Sequence, residues 1–216
     1  MRINKSNFVP FMWLICLQFI CISLKAQSNV PTVISKTGRV WMDRNLGASQ
    51  VAKSPTDLLS FGDLFQWGRG TDGHQLRTST TLGEESEKDQ PGHAFFIQGF
   101  QDWRNPLNDS LWQGASGINN PCPVGFRIPT ALEWDAEMAT WDGSKNAESA
   151  FLSPLKLPSA GYRLFTDVTI RSIGSGLYWT STVSGALATF FYINEASSSL
   201  TINGRARGYS VRCIKD

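Results

Sequence analysis

The stretch Asn120-Pro121-Cys122-Pro123-Val124-Gly125-Phe126-Arg127-Ile128-Pro129-Thr130-Ala131-Leu132-Glu133-Trp134, answered by Ser210-Val211-Arg212-Cys213-Ile214 near the C-terminus, constrains the folding of this chain more than any other feature. Its second half predicts a helix. Thr130 can cap, Glu133 stands three residues on as the capping-box partner, and Leu132, Trp134 and Met138 supply packing groups. Its first half holds one of two cysteines far apart in sequence, and what those cysteines do depends on the compartment.

The compartment is read at the N-terminus. Arg2 and Lys5 precede an almost unbroken apolar run from Phe8 to Leu24, which ends at Lys25-Ala26-Gln27. This predicts a secretory signal peptide over residues 1–26, cleaved after Ala26, with a short lead-in over 27–35. The length would just suffice for a membrane anchor. The terminal position and the polar Gln27-Ser28-Asn29 favour removal, and Ile20 is too large for lipoprotein cleavage before Cys21. The expected product is a soluble exported chain, not an integral membrane protein after signal removal. Cys16 and Cys21 leave with the signal, so Cys122 and Cys213 remain as one even pair in an oxidising compartment. A structural bridge between them is the expectation. The alternatives are a reactive thiol or a metal ligand, but neither cysteine has the neighbouring His or Cys that a zinc site requires.

What remains has the length of one domain. The formal net charge is only +2, with no Lys/Arg cluster, which excludes nucleic acid as the expected partner. Eight Trp, thirteen Phe and nineteen Gly point to a loop-heavy β or α+β chain whose irregular segments are held by large side chains.

Along the chain, Thr32-Val33-Ile34 and Arg39-Val40-Trp41-Met42 read as strands around the turn at Thr37-Gly38. Leu58, Leu59, Phe61, Leu64, Phe65 and Trp67 predict a short helix, and residues 70–90 a long polar surface loop. After Gly143, where the helix from Thr130 fades, short strands are expected at Leu155–Pro158, Gly161–Arg163, Gly176–Thr182, Thr189–Ile193, Ser199–Ile202 and Tyr209–Ile214.

Six blocks in order resemble a known family. They are Gly38–Ala48, Gly62–Arg69, Cys122–Thr130, Leu157–Arg163, Tyr178–Thr182 and Gly208–Cys213. Together they resemble the Fibrobacter succinogenes major paralogous domain, over residues 36–216. That family looks like a branch of the C-type lectin-like superfamily, which also contains the formylglycine-generating enzymes. The resemblance implies an α+β, C-type lectin-like fold of small antiparallel sheets with about two helices and long loops. It also implies an exported protein, secreted or held at the cell surface or in the periplasm of a Gram-negative bacterium of the Bacteroidetes or Fibrobacteres. It implies fold and not chemistry.

Candidate chemistry is sparse. Formylglycine-generating enzymes hold copper with two nearby cysteines, a pair this chain lacks, so such an enzyme is the least favoured reading and no catalytic residue is expected. The Glu-Pro-Asn and Trp-Asn-Asp motifs of calcium-dependent lectins are also missing. No cofactor is expected, except that the oxygen-rich loop Asp102, Asn105, Asn108 and Asp109 is a candidate for a structural calcium. His74 and His93 are read as surface histidines without a role. Glu133 is read as a capping partner, on the same helix as Asp135 and Glu137. Trp41, Trp67, Trp134 and Trp179 are assigned to packing, whereas Trp103, Trp112 and Trp141 are candidates for a surface role.

Between Val183 and Arg207 the chain mixes small polar residues with Phe191, Tyr192 and Ile193. In lectin-like relatives diversified by retroelements, this region is the ligand-binding face. The expected site is Tyr192, Asn194, Asn203, Arg205 and Arg207, with Trp103 and Trp112. The two arginines would give charge-assisted hydrogen bonds and the two asparagines neutral ones. The expected function is non-catalytic binding of a glycan or extracellular protein. The alternative is a structural or adhesin-tip subunit of a surface assembly. The oligomeric state is left open.

Overall fold

A computed structural model describes residues 30–216, so the expected signal peptide, with Cys16 and Cys21, lies outside the described residues. In chain order the strands are β1 (Thr32–Ile34), β2 (Val40–Met42), β3 (Phe65–Gln66), β4 (Thr81–Leu82), β5 (Phe96–Ile97) and β6 (Phe126–Arg127). Two helices follow, α1 (Ala131–Ala139) and α2 (Ala147–Leu152). Then come β7 (Tyr162–Arg163), β8 (Ile170–Arg171), β9 (Gly176–Ser184), β10 (Leu187–Ile193), β11 (Ser198–Gly204), β12 (Gly208–Tyr209) and β13 (Ile214–Lys215). The architecture is mixed α+β, built of small, mainly antiparallel sheets and two helices. None of the helices among the described residues is long and apolar enough to cross a membrane.

The first sheet runs β1-β2-β13-β6 and joins the two ends of the described chain. Ile214 pairs with Trp41 on one side and Arg127 on the other. Cys122 precedes β6 and Cys213 precedes β13, and their Cα atoms lie 5.9 Å apart, joined by a disulfide. A second sheet runs β3-β12-β7-β8, a third β11-β10-β9, and β4 pairs with β5 in parallel.

α1 forms as its sequence dictates. Thr130 Oγ1 accepts the Glu133 amide at 3.2 Å, and the Glu133 carboxylate accepts the Thr130 amide at 2.8 Å, so two helix-end donors are satisfied reciprocally. Burial alone would raise the Glu133 pKa, but bonds from Arg127 at 2.7 and 2.8 Å overcome it and hold the carboxyl at about 2. The helix buries Trp134, which stacks on Phe191 (5.0 Å, 20°) and lies 5.5 Å from Tyr178 and 4.8 Å from Trp41. The other face of the third sheet packs Ala188 and Phe190 against Trp179, Tyr209, Trp67 and Trp112. The cap sets where this helix starts, so Thr130→Ala is expected to cost about 1 kcal/mol, read as a lower urea midpoint at unchanged slope.

Four expectations are corrected. The single strand expected at Tyr209–Ile214 is two, β12 and β13, which belong to different sheets. The helix expected over 58–67 is a 3-10 turn at Leu58–Ser60 followed by β3. Gly62 takes a φ of 67°, and a Cβ there would sit 2.3 Å from the Leu46 carbonyl, so the helix cannot pass through it. Leu155–Pro158 forms no strand: Lys156 adopts φ 48° and the chain kinks, while Leu155 and Leu157 still enter the core. Trp141 is buried against Phe191, not exposed. Helix α2 is six residues long, too short to show periodicity, and is announced only by its Asn146/Ser149 cap.

Candidate ligand-binding face

The loops around the site are fastened by buried polar groups. Trp67 Nε1 donates to the Thr180 carbonyl (2.8 Å), Trp103 Nε1 to the Trp67 carbonyl (2.6 Å) and Trp112 Nε1 to the Asn119 carbonyl (3.0 Å). The surface role expected of Trp103 and Trp112 is therefore overturned. Both rings are fully buried, and each indole N–H ties one stretch of irregular backbone to another.

Arg205 is also removed from the expected site. It is fully buried, its guanidinium carbon lies 4.5 Å over the Trp67 ring, and Nη2 donates to Asp109 (2.5 Å) and the Gly185 carbonyl (2.9 Å). Asp102 lies 3.7 Å from Nη1. Burial pushes the Asp102 carboxyl up to about 6 against the pull of Arg205. Asp102 also accepts the amides of Trp103 and Arg104. In the loop proposed for calcium, Asn108 donates to Asp89 and its own oxygen accepts from Ser110. The Asp102, Asn108 and Asp109 side-chain oxygens thus serve protein donors. Among the described residues no three of His, Cys, Asp and Glu form a metal-binding group.

His74 is likewise not a surface residue. It is fully buried; Nδ1 meets Asp72 at 2.5 Å and Nε2 accepts the Gln66 amide at 3.1 Å. Burial lowers its pKa to about 4, so the ring is neutral with Nδ1–H donating. Both nitrogens are occupied, which leaves no free base for proton transfer. Asp72 is held at about 2 by His74 and Arg69 although burial opposes this. Glu137 is fully buried within α1, and burial raises its carboxyl.

Of the other four expected residues, Tyr192 and Asn203 lie on the same side of the third sheet as Phe190 and Ala188, and Asn194 and Arg207 stand in the turns that follow β10 and β11. Tyr192 projects from the same side of β10 as Phe190, and its hydroxyl accepts from Asn194 Nδ2 (3.1 Å). Asn194 Oδ1 is fixed by the amides of Ala196 and Ser197 in the hairpin turn. Asn203, opposite Ala188, donates from Nδ2 to the Tyr209 hydroxyl (3.0 Å), while its Oδ1 accepts the Gly204 amide (2.9 Å). Tyr209 packs on Trp179 (4.3 Å) and Phe190 (4.7 Å), with Tyr162 edge-on at 6.1 Å. Burial keeps its hydroxyl protonated well above the usual phenol range. Arg207 is half-buried, 5.7 Å over Phe165, which meets the exposed Phe100 at 6.2 Å beside a shallow hollow of about 300 Å³.

The arrangement has two stations, Tyr192–Asn194 and Asn203–Tyr209–Arg207. From strand rise they stand about 13 Å apart. In each, an amide whose oxygen is held by backbone N–H donates to a phenol oxygen, so the phenol O–H proton is directed away from the amide. Tyr192, Asn194, Asn203 and Arg207 are partly exposed. The face therefore offers phenol, amide and guanidinium donors on aromatic ground and suits an elongated ligand rich in oxygen acceptors. Tyr162, Tyr209 and Phe165 were not expected in the site. The first two lie in sequence blocks that read as packing; Tyr162 and Phe165 are partly buried at the core's rim, whereas Tyr209 is buried in the core and holds Asn203 from beneath.

Comparison of the chain with family models, with curated proteins and with solved structures finds no match.

Proposed function

We propose that this chain is an exported, non-catalytic binding protein of C-type lectin-like architecture, akin to the Fibrobacter succinogenes major paralogous domain, acting at the cell surface or outside the cell of a Gram-negative bacterium. Its ligand is a glycan or protein that lies along the Tyr192–Asn203–Arg207 face. The observation that carries the reading is the pair of phenol–amide bonds, Asn194 to Tyr192 and Asn203 to Tyr209, which orient donors on a partly exposed surface before any ligand arrives. The six sequence blocks, the union of first and last strands in one sheet and the tryptophan-fastened loops support the architecture.

The test is a glycan array and a panel of extracellular proteins probed with residues 27–216. Tyr192→Phe and Arg207→Ala are expected to leave stability within about 0.5 kcal/mol, Asn203→Ala to cost about 1 to 3 kcal/mol because it strips the buried Tyr209 hydroxyl of its donor, and each to weaken binding roughly tenfold or more. Arg205→Ala, by contrast, is expected to destabilise the fold, because it leaves Asp102 buried without its cation. Ligands bound equally well by all three face variants would exclude this face.

A further inference from the structure

The third sheet is closed along one edge and open along the other. On the β9 side, the Trp179 amide donates to the Ser210 carbonyl (3.0 Å), the Ser210 amide to Leu177 (2.9 Å) and the Ser181 amide to Pro129 (2.8 Å). β11, on the other side, pairs with β10 alone, in unbroken register from Ile193–Ser198 to Leu187–Gly204. The hairpin closes with the Asn194 amide donating to the Ser197 carbonyl at 2.9 Å. That bond fixes the alternation of the ladder: Ser199, Thr201 and Asn203 turn their N–H and C=O toward β10, whereas Ser198, Leu200, Ile202 and Gly204 turn theirs outward.

The two ends of this outward row are covered. Ser198 Oγ donates to the Lys145 carbonyl (2.9 Å), and Gly204 lies against the Phe100–Gln101 backbone, where a Cβ would come 3.0 Å from the Gln101 carbonyl oxygen. Between them the outward groups of Leu200 and Ile202 meet no partner among the described residues. Proteins usually blunt such an edge with lysine, proline, a bulge or shortness. β11 has none of these: it is Ser-Ser-Leu-Thr-Ile-Asn-Gly, seven residues long and uncharged, and Ile202 is 48 % exposed. The outer strands of the other sheets, β1, β3, β6 and β8, have two or three residues each.

We infer that β11 takes up a strand: the ligand is an extended, uncharged polypeptide segment of another protein, which pairs with the backbone of Leu200 and Ile202. This inference rests on the binding reading of the adjoining face and names the class of its ligand. A peptide repeats N–H and C=O at the spacing of the free edge, and every second side chain of an added strand falls on the Tyr192–Asn203 side. The Phe100–Gln101 backbone bounds the added strand at the Gly204 end and Lys145 at the hairpin-turn end, so the pairing is short and centred on Leu200 and Ile202.

The experiment is selection of linear peptides from a phage library on the protein of residues 27–216. Peptides with an uninterrupted, proline-free stretch of alternating apolar residues are expected, and N-methylation of alternate backbone amides should abolish their binding. Ile202→Pro is compatible with the fold because the lost N–H points outward, and should weaken these peptides roughly tenfold or more, while Ile202→Thr, which keeps the N–H, should change binding by less than about threefold. Circular dichroism and the melting temperature establish that both variants are folded. The inference is overturned by a selection that enriches nothing, by peptides that bind the proline variant equally, or by a dimer of the free protein that Ile202→Pro dissociates, which would assign the edge to a second copy. Peptides or glycans lost with Asn203→Ala or Arg207→Ala but indifferent to Ile202→Pro would retain the face and remove the strand. Peptides lost with Ile202→Pro but indifferent to the face variants would do the reverse.

Discussion

Replacing Cys122 and Cys213 together by serine is expected to lower the unfolding free energy by about 4 kcal/mol, measured by urea denaturation of the oxidised protein and the double variant. The sequence separation of 91 residues is the reason. Cross-linking so long a loop removes a large part of the freedom of the unfolded chain, and the cost of closing it returns in full when the bridge is lost. The bridge stands just before β6 and β13, which are neighbours in the first sheet. The Cys213 carbonyl also accepts the Met42 amide at 2.9 Å, so loosening here reaches β2 as well. Domains of this size hold about 5 to 15 kcal/mol in total, so the variant would survive with little margin. A loss below about 1 kcal/mol would mean that the β2-β13-β6 pairing holds without its cross-link.

Arg212→Met is expected to cost about 3 kcal/mol, on balance of two opposed effects. The guanidinium is fully buried and bonds to no carboxylate; Nε and Nη2 donate to Asn45 Oδ1 (3.1 and 3.0 Å), and Nη1 to the carbonyls of Leu155 (2.7 Å) and Met42 (3.3 Å). Burial brings its pKa down to about 10, still charged at neutral pH, and relief of that desolvated cation would return about 3 kcal/mol. Methionine of similar volume leaves three buried acceptors without donors, at about 2 kcal/mol each, which outweighs the relief. Arg212→Lys is expected to recover only part, because a single ammonium cannot span Asn45, Met42 and Leu155. Unchanged stability in Arg212→Met would show that the three acceptors find other donors.

What the sequence disclosed about this fold was local. The Thr130–Glu133 box, the Thr37-Gly38 turn with Gly38 at φ 80°, and the β9-β10-β11 hairpins each depend on neighbours close in sequence. The misread segments depend on partners far away. Gly62 is fixed by the Leu46 carbonyl, and the Trp103 indole by the Trp67 carbonyl, 36 positions off. No periodicity tells which side of an irregular loop faces inward, so Trp103, Trp112 and Arg205 looked free when they are the fastenings of the loops. His74 did carry a readable sign, since Asp72 two residues earlier is placed to fix a buried imidazole. Of the expected site residues, Tyr192, Asn194, Asn203 and Arg207 are partly exposed, and they were picked out by their place beside strand-like residues and by the resemblance to lectin-like proteins. Tyr209 and Tyr162 were missed because a tyrosine that packs by its ring and bonds by its hydroxyl looks, in sequence, like any other core aromatic.

The place of β13 also governs when the molecule can fold. The last of the described strands sits inside the first sheet, between β2 and β6, and β12, just before it in sequence, joins Phe65 to Tyr209. An N-terminal fragment, however long, has no surface on which to complete that sheet, and the contacts that close it span most of the chain, a topology that slows folding. Closure of the first sheet therefore waits on β13, and the pairing of β2 with β6 through it comes late in folding.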